Sequence, residues 1–408
     1  MNLDFSQLGS VGEAIVDAAR TIASAQSLRI FLVGGPVRDL ILNRETIDID
    51  LMSTEHEIER FAPHLTTALG GSLERFPKFL TMKVATPDAV VDLAAMRRET
   101  YASPGALPLV APGSLDEDLY RRDFTVNSIA LDIVSGEIVD PSGGMRDLEH
   151  GLLRYLHERS FLDDPTRILR GVRLAARIGL KFESATEDAA RTAISSGAFN
   201  SISRERSWRE IFLLFRETNL EGGLERLQEW GFLLAFLGRD QPLDSRRITR
   251  IETCSFLSRR ERDLAFIAIL LRGSQSAKEA LAGSGVTRRE MQQILNPRLD
   301  TPAPPGLPGL DDEQTLRQLV HWGALGPALS ASTDDEFNRL SALVAQLESA
   351  RESMPRDLDS PPGPHIGRAL RETLVALAMG RISPAQARDF AQERAIEYLR
   401  EDPATPDG

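Results

Sequence analysis

Apolar residues follow two different patterns along the chain, and the change comes near residue 150. Before it, helical spacing predicts helices over 11–27 and 55–69, and short apolar runs between turn residues predict strands. The predicted strands are Ile30–Val33, Ile47–Met52, Phe79–Val84, Val90–Ala95 and Ile129–Val134. Strands that alternate with helices predict a mixed α/β unit over residues 1–150.

After residue 150 the spacing of apolar residues is helical. The periodic stretches are 164–178, 184–196, 204–216 and 222–237. Two proline-rich stretches, 296–308 and 355–364, are expected to be linkers or long loops, and residues 401–408 are expected to be disordered. The predicted all-α segments are 151–217, 218–297 and 298–408.

Composition narrows the class of protein. Of 408 residues, 42% are hydrophobic, which is enough for the cores of about two to four domains. No apolar run reaches the roughly 18–20 residues that a membrane span requires, and the N-terminus lacks the features of a signal peptide. We therefore expect a cytoplasmic protein. One cysteine, Cys254, excludes an internal disulfide and a thiolate metal site.

The net charge of −12 argues against a protein that coats nucleic acid without sequence preference. Nearly all positive charge is arginine, which binds phosphate in a bidentate way, although a GC-rich genome also explains this bias. Arginines over 245–250 and 258–262 are interpreted either as a strip that binds an RNA backbone or as a solvated helix face.

The pair Asp48 and Asp50 is the first candidate for chemistry. Side chains two residues apart in an extended segment point the same way, so both carboxylates can face one spot, as Mg²⁺ ions require. Gly34 and Gly35 follow a predicted buried strand and let backbone N–H groups approach a phosphate. Alone, such glycines are usually a turn and such acids a solvated strand end. Together they suggest metal-dependent phosphoryl or nucleotidyl transfer.

Two further segments carry polar groups suited to a nucleotide. Arginine binds a triphosphate, and aspartate or asparagine can hydrogen-bond a ribose hydroxyl. The first segment contains Arg121, Arg122, Asp123 and Asn127 just before a predicted strand, and it could equally be a polar loop.

The second segment is predicted to open a helix, with Asp164 as N-cap and Pro165 in the first turn. Arg167, Arg170 and Arg173 follow at intervals of three residues, so they share a side of the helix with Asp164. A capped helix with a solvated arginine face is the structural alternative. A further segment, 140–151, is predicted to be a hinge between domains.

In this order and spacing, the segments resemble the class II tRNA nucleotidyltransferase and poly(A) polymerase family, and CCA-adding enzymes in particular. Residues 203–210 are similar to a helix motif of the family, and 363–370 to its tail signature. The resemblance implies an α/β nucleotidyltransferase head with a mixed β-sheet, followed by an all-α neck, body and tail over the segments given above.

The resemblance also implies the roles of single residues. Asp48 and Asp50 would be catalytic and would hold Mg²⁺. The nucleotide would be bound by Gly34, Gly35, Arg38, Arg121, Arg122, Asp123, Asn127, Asp164, Arg167, Arg170 and Arg173. Within that set, Gly35 and Arg38 would contact the triphosphate, and Asp164 and Arg167 would read the base. The implied partners are tRNA, CTP and ATP; the oligomeric state stays open.

Base chemistry is consistent with such a reading pair. A carboxylate only accepts hydrogen bonds and a guanidinium only donates them. Cytosine and adenine both present an amino donor beside a ring-nitrogen acceptor, whereas uracil and guanine present the reverse order. One Asp164–Arg167 pair would therefore admit C and A and reject U and G, by about 10⁴-fold in a site built to pair.

The resemblance leaves several points open. Asp163 stands where the family usually has glutamate, Ser128–Ile129 replaces a more usual pair, and Asp92 is either a third acid near the metal or an ordinary strand residue. Relatives that add only CC lack a flexible loop that is present here over 97–118, which favours competence in adding A.

Addition of all of CCA is the favoured prediction. The alternatives are A-only or CC-only addition, a poly(A) polymerase, a small-molecule nucleotidyltransferase, and an inactive RNA-binding protein on the same scaffold. The six histidines include no His-Asp dipeptide, so no phosphohydrolase activity is expected.

Overall fold

The computed structural model describes residues 3–254, 257–295, 311–322, 334–360 and 363–401. The chain forms two compact units, Met1–Ala235 and Phe236–Gly408. In neither unit is a described helix long and apolar enough to cross a membrane. The predicted loop over 296–308 lies outside the described residues, and so does the predicted disorder over 402–408. The division of the chain into the segments 1–150, 151–217, 218–297 and 298–408 stays a prediction.

The first unit contains a seven-stranded mixed sheet with strand order β3-β4-β5-β2-β1-β8-β9, in which β2 and β5 are parallel. Its strands are β1 (Phe31–Val33), β2 (Ile49–Ser53), β3 (Ser72–Phe76), β4 (Thr81–Ala85), β5 (Val90–Ala95), β8 (Ala130–Asp132) and β9 (Ile138–Val139). The hairpin β6 (Arg97–Thr100) and β7 (Leu109–Pro112) forms a second sheet, and β10 (Leu152–Leu153) pairs with β11 (Lys181–Phe182).

The helices of this unit surround the sheet and then continue alone. They are α1 (Gly9–Gln26), α2 (Gly35–Ile41), α3 (Glu55–Ala68), α4 (Leu115–Tyr120), α5 (Gly144–Glu149), α6 (Ser160–Asp163), α7 (Thr166–Ile178), α8 (Ser184–Ser195), α9 (Arg204–Leu214), α10 (Leu220–Glu229) and α11 (Phe232–Leu237). Helices α1 and α3 cover one face of the sheet, where Ile58, Phe61 and Leu65 are fully buried. On the other face, Phe31 and Met52 pack with Leu119 of α4.

The second unit is helical in its described part. Its helices are α12 (Ser245–Thr253), α13 (Arg259–Leu271), α14 (Ala277–Ala280), α15 (Arg288–Ile294), α16 (Asp312–Trp322), α17 (Asp334–Arg351), α18 (Pro364–Ala378) and α19 (Ala387–Glu401). Arg247 and Arg250 of α12 are 6% and 8% exposed, so these two belong neither to a solvated face nor to an open RNA-binding strip. Arg246, Arg259 and Arg260 of the same two stretches are exposed, and for them both interpretations stay open.

The α/β head followed by helices is as predicted, and the predicted strands match observed ones to within about two residues. Strands β3 and β6 were not predicted, because their charged side chains do not alternate cleanly with apolar ones. Strand β7, which ends in Pro112, lies in the stretch that was expected to be a loop. The predicted helix over 222–237 is two helices, which Gly231 separates with a φ of +79°.

Two local features position the candidate site. Gly34 ends β1 with a φ of +74°, a conformation that favours glycine, and α2 begins directly after it with Pro36 in its first turn. Helix α7 begins at Thr166, two residues after the predicted N-cap. The Asp164 carboxylate nevertheless caps it, since Oδ1 accepts the Thr166 backbone N–H at 3.1 Å.

Candidate active site

All thirteen candidate residues line one cavity of about 650 Å³ in the first unit. They come from the turn after β1, from β2, from the segment before β8 and from α7, as follows: Gly34, Gly35, Arg38, Asp48, Asp50, Arg121, Arg122, Asp123, Asn127, Asp164, Arg167, Arg170 and Arg173. The cavity thus joins the sheet to the helices that follow it. The separate roles of the thirteen residues remain predictions.

Asp48 and Asp50 face this cavity while Ile49 between them is buried at 2% exposure. The alternation follows from the extended backbone at the start of β2. Among the described residues, no hydrogen bond or ion pair is recorded for either carboxylate. Burial and the neighbouring Asp92 carboxylate raise the pKa of Asp50 to about 6, and the charge of Asp48 contributes further. The positive charges of Arg122 and Lys83 oppose this shift of the Asp50 pKa only in part.

Asp92 lies beside Asp50 on the adjacent parallel strand, with Cα atoms in register. Its carboxylate accepts a hydrogen bond from the ammonium of Lys83 on β4 at 2.9 Å, so Lys83 offsets part of the charge of Asp92. Nowhere in the described ranges do three His, Cys, Asp or Glu side chains converge as a ready metal-ligand set. Asp92 lies beside Asp50, and its role as a third acid near the metal stays a prediction.

A chain of hydrogen bonds links the glycine turn to α7. The Arg38 guanidinium donates to the Asn127 side-chain oxygen, and the Asn127 amide donates to Asp123 Oδ1 at 2.9 Å. Arg170 donates to Asp123 Oδ2 at 2.8 and 2.9 Å. Burial alone would raise the pKa of Asp123, but Arg170 and Asn127 outweigh it and lower the pKa to about 2. Asp123 is therefore an anion that fixes Asn127 and Arg170 directly and Arg38 through Asn127, which restricts its freedom to bind a ribose itself.

Arg121 and Arg122 are both held by Asp118, which is fully buried. Arg121 donates in addition to Glu99 of β6 at 2.8 Å. The two arginines thus have fixed positions, and the buried Nε atom of Arg122 has no hydrogen-bond partner in the part of the chain that the structure describes. A buried unpaired donor is costly unless a ligand or water satisfies it.

The Asp164 carboxylate is anchored through one oxygen. Its Oδ1 atom accepts from the Thr166 hydroxyl at 2.6 Å and from Arg206 Nη2 at 2.8 Å. No hydrogen bond is recorded for Oδ2 among the described residues, and the side chain is 22% exposed at the cavity. Asp164 therefore has one fixed oxygen and one oxygen available to accept from a ligand.

Arg167 is buried, although it was expected to be an accessible side chain that reads the base. It is 6% exposed, and its two terminal nitrogens donate to the backbone carbonyls of Arg121 (2.7 Å) and Arg122 (3.2 Å) and to Ser160 Oγ (2.8 Å). Nη2 also lies 3.3 Å from the hydroxyl of Tyr101. In this arrangement Arg167 cannot present two free donors beside Asp164.

The loop between β6 and β7 is docked against the helices. The Gly105 backbone N–H donates to the carbonyls of Leu162 (3.1 Å) and Asp163 (3.2 Å), and its own carbonyl accepts from Arg206 Nη1 at 3.0 Å. Arg206 thus connects this loop to Asp164 directly. Residues at both ends of the loop, Tyr101 and Pro108, line the cavity.

Sequence reasoning missed several cavity residues. Arg97, Glu99 and Tyr101 of the hairpin lie there, as does Arg177, an exposed cation for which no side-chain ion pair is recorded among the described residues. The spacing of three to four residues after Arg170 and Arg173 could have indicated Arg177. No local signal indicates the hairpin residues, since long-range packing places them. Arg173, conversely, is paired with both Glu210 (2.6 Å) and Glu217 (3.2 Å).

Residues 30–154 match the family model described as the poly A polymerase head domain. An A-adding tRNA nucleotidyltransferase of Aquifex aeolicus is 39% identical over 209 residues, 50% of this chain and 25% of the relative. Another, of Halalkalibacterium halodurans, is 36% identical over 53% of this chain and 52% of the relative. A multifunctional CCA protein of Xanthomonas campestris is 35% identical over 52% and 51%, respectively. The chain spans about a quarter to a half of these relatives.

Solved structures resemble almost the whole chain. An apo CCA-adding enzyme aligns with a TM-score of 0.76 over 98% of this chain and 100% of that chain, at 22% identity. The Thermotoga maritima CCA-adding enzyme complexed with tRNA aligns with a TM-score of 0.65, over 98% and 100%, also at 22% identity. At this identity the likeness establishes a common fold.

Proposed function

We propose that this chain, whose residues 30–154 belong to the poly A polymerase head-domain family, is a tRNA nucleotidyltransferase that adds CCA to tRNA 3′ ends. One observation carries the proposal: the paired acids, the glycine turn and the arginines of α7 line one cavity. CTP and ATP would be its nucleotide substrates, with pyrophosphate as the leaving group. The named relatives act on tRNA, and this chain has the fold of CCA-adding enzymes throughout.

Mg²⁺ fits the site on the chemistry of its donors. Asp48 and Asp50 offer hard oxygen ligands, and burial beside Asp92 raises the pKa of Asp50 although the charges of Arg122 and Lys83 oppose the shift. A cation at this position would favour the ionised form. When bound, Mg²⁺ would lower the pKa of the attacking 3′-hydroxyl and neutralise charge on the leaving pyrophosphate. Asp48 and Asp50 are proposed to hold it, with Asp92 as a candidate third ligand.

The remaining groups bind and orient the nucleoside triphosphate. The Gly34–Gly35 turn brings backbone N–H groups to the start of α2, where a phosphate is favoured. Arg38, Arg122 and Arg177 surround the same cavity with positive charge. Because Asp118 fixes Arg122 and Asp123 fixes Arg170, the cavity is organised before substrate binds, so less ordering entropy is lost on binding.

Base selection is proposed to begin with Asp164, whose free Oδ2 can accept from the amino group of cytosine or adenine. Arg167 would complete the reading pair only after one of its bonds to a backbone carbonyl exchanges for the base. Release of Tyr101, whose hydroxyl lies 3.3 Å from Arg167 Nη2, would free a further N–H of Arg167. Tyr101 lies at one end of the loop that Arg206 docks, so the position of this loop would influence how Arg167 reads the base.

The decisive experiment offers the purified full chain tRNA transcripts that end at position 73, 74 or 75, together with labelled CTP or ATP. The proposal predicts C addition to the first two transcripts and A addition to the third. Addition of A alone would instead assign the chain to the A-adding group, to which the first two relatives belong by name. Addition of C alone would assign it to a CC-adding group.

Two other outcomes separate the remaining alternatives. Long A tails on an RNA that is not a tRNA would indicate a poly(A) polymerase. Binding of tRNA without any incorporation would indicate an inactive scaffold. Such a protein would be expected to lack one of the two acids, and both are present at positions 48 and 50.

A further inference from the structure

One face of the sheet is left open next to the paired acids. Strands β3, β4 and β5 bury Met82, Val84 and Leu93 on the face that α3 covers, whereas alternate side chains on the opposite face are exposed or half-buried. Over β1, β2 and β8 that opposite face is closed by α4. The open face consists of Ser72, Glu74, Phe76, Thr81, Lys83, Ala85, Val90, Asp92 and Ala94.

Strand register places this open face in line with the site. Asp50 pairs with Asp92, Asp92 with Lys83, and Lys83 with Glu74, so one row of side chains runs from the acids to the sheet edge. On the other side of β2 lies β1, which ends in the Gly34 turn. The acids therefore lie between the turn proposed to bind phosphate and the open face.

Phosphoryl transfer requires the attacking and leaving oxygens to be roughly in line. If pyrophosphate leaves on the Gly34 side of the acids, the 3′-hydroxyl must approach from the opposite side, which is the β5 side. The strand carrying that hydroxyl must then run over the surface beyond Asp50, and the open face is the part of the sheet found there.

The chemistry of this surface suits an RNA strand. Two of the four lysines of the chain, Lys78 and Lys83, lie on it or at the β3–β4 turn. Lys83 uses one of its three N–H groups for Asp92 and is 46% exposed, which leaves donors for a phosphate. Phe79 at the turn is 46% exposed beneath Lys78 and offers a ring on which a base can stack. Two acids lie on the same face: Asp92 is paired with Lys83, and Glu74 lies on the edge strand farthest from the paired acids.

The turn is also connected to the nucleotide cavity. Arg97, which lines that cavity, donates to the Phe79 backbone carbonyl at 2.6 Å. The open face and the cavity thus meet at both Asp50 and Arg97.

We propose that the face of β3, β4 and β5, with Lys78, Phe79 and Lys83, binds the 3′-terminal nucleotides of the RNA that receives the new nucleotide. This inference rests on the proposed function. According to this inference, Lys83 and Lys78 bind phosphates of the RNA, and neither lysine contacts the incoming triphosphate. The lysines therefore position the acceptor strand, while the groups of the cavity bind the donor.

The test compares the double variant Lys78→Gln/Lys83→Gln with Lys181→Gln, which removes an exposed lysine elsewhere in the same unit. Fluorescence anisotropy measures the affinity for a labelled tRNA transcript that lacks CCA, over a range of salt concentrations. Steady-state incorporation then gives KM for tRNA and for ATP separately. Circular dichroism checks that both variants are folded, which is expected because the Lys83–Asp92 pair is half-exposed.

The double variant is expected to weaken tRNA binding about tenfold and to reduce the slope of log affinity against log salt by about one to two. KM for tRNA should rise by a similar factor, and KM for ATP should change less than about twofold. Unchanged tRNA affinity in the double variant overturns the inference whether or not the chain is active. If the wild type incorporates no nucleotide but the double variant still binds tRNA more weakly, the proposed function is wrong and the inference about the RNA-binding face stands.

Discussion

Asp50 lies directly beside Asp92 on the neighbouring parallel strand, and no described cation forms an ion pair with Asp50. Burial and this neighbour raise the pKa of Asp50 to about 6, so its ionised form is disfavoured in the folded chain. The acid that is proposed to hold Mg²⁺ thus lowers the stability of the folded chain, as is expected where a cation is to be bound.

The first prediction concerns Asp50→Asn. A raised carboxyl pKa contributes stability that is present below the unfolded value of 3.8 and lost as pH rises through about 6. Without metal, Asp50→Asn should therefore unfold at a temperature about 2 °C or more above wild type at pH 8, and the difference should vanish near pH 4. Thermal unfolding at both pH values measures this.

Addition of Mg²⁺ provides the control for that prediction. It should raise the unfolding temperature of the wild type at pH 8 and leave Asp50→Asn almost unchanged, because the variant lacks the charge that binds the ion. An equal response of both proteins would exclude Asp50 as a metal ligand.

Asp164→Asn is predicted to relax base choice. The amide can donate as well as accept, so uracil and guanine are no longer opposed by a pure acceptor. Discrimination of CTP over UTP should fall by at least about 10²-fold, while the Mg²⁺-dependent gain in unfolding temperature stays as in wild type. Single-turnover incorporation with each of the four nucleotides measures the ratio. Unchanged selectivity would show that Asp164 does not read the base.

A charge-reversing exchange of Asp164 and Arg167 is a poor test of the same idea. A carboxylate at position 167 would face the carbonyls that now accept from Arg167, which makes local unfolding the expected result. Arg167→Lys keeps the charge and is the suitable partner experiment.

Gly105→Ala is predicted to release the loop between β6 and β7. A Cβ atom there would lie 2.1 Å from Ser201 Oγ and 2.7 Å from its backbone oxygen, so the docked position is excluded. If the docked loop supports A addition, incorporation of A into tRNA ending at position 75 should fall about tenfold or more, with a smaller effect on C addition.

Gly136→Ala is the matched control for the loop. Gly136 has a similar φ of +73° but no atom within 4 Å of an added Cβ, so it reproduces the backbone strain of about 1 kcal/mol without the clash. Equal loss of A addition in both variants would assign the effect to strain and remove the role of the docked loop.

Arg170→Met should destabilise the first unit by on the order of 2 kcal/mol, since the buried Asp123 carboxylate loses a charged hydrogen-bond partner. Asp123 has a lowered pKa, so its contribution is present above 3.8 and lost as pH falls through about 2; the effect should be full at pH 7. Urea unfolding measures it. Arg75→Met, which breaks the exposed pair with Glu59, should cost less than about 0.5 kcal/mol.

The sequence could predict those features that depend on local periodicity. Alternation in an extended segment was enough to put Asp48 and Asp50 on one side of Ile49. The turn could be predicted from glycine after an apolar run, and Gly34 does adopt a positive φ there. The helical remainder follows in the same way from the spacing of apolar residues.

Features set by long-range packing could not be predicted. Helical spacing put Arg167 on the polar side of α7, but the backbone carbonyls that hold it belong to residues more than forty positions away. Arg206 reaches both Asp164 and the β6–β7 loop through the tertiary fold alone. Neither contact leaves a pattern in the local sequence.

The central claim is that Asp48 and Asp50 together carry nucleotidyl transfer. Its most direct test is incorporation of labelled CTP and ATP into tRNA ending at position 73, measured for wild type and for Asp48→Asn and Asp50→Asn separately at saturating Mg²⁺. The account predicts addition of C, C and A by the wild type and a loss of at least about 10³-fold in either variant. Polymerisation near the wild-type rate in either variant would contradict it.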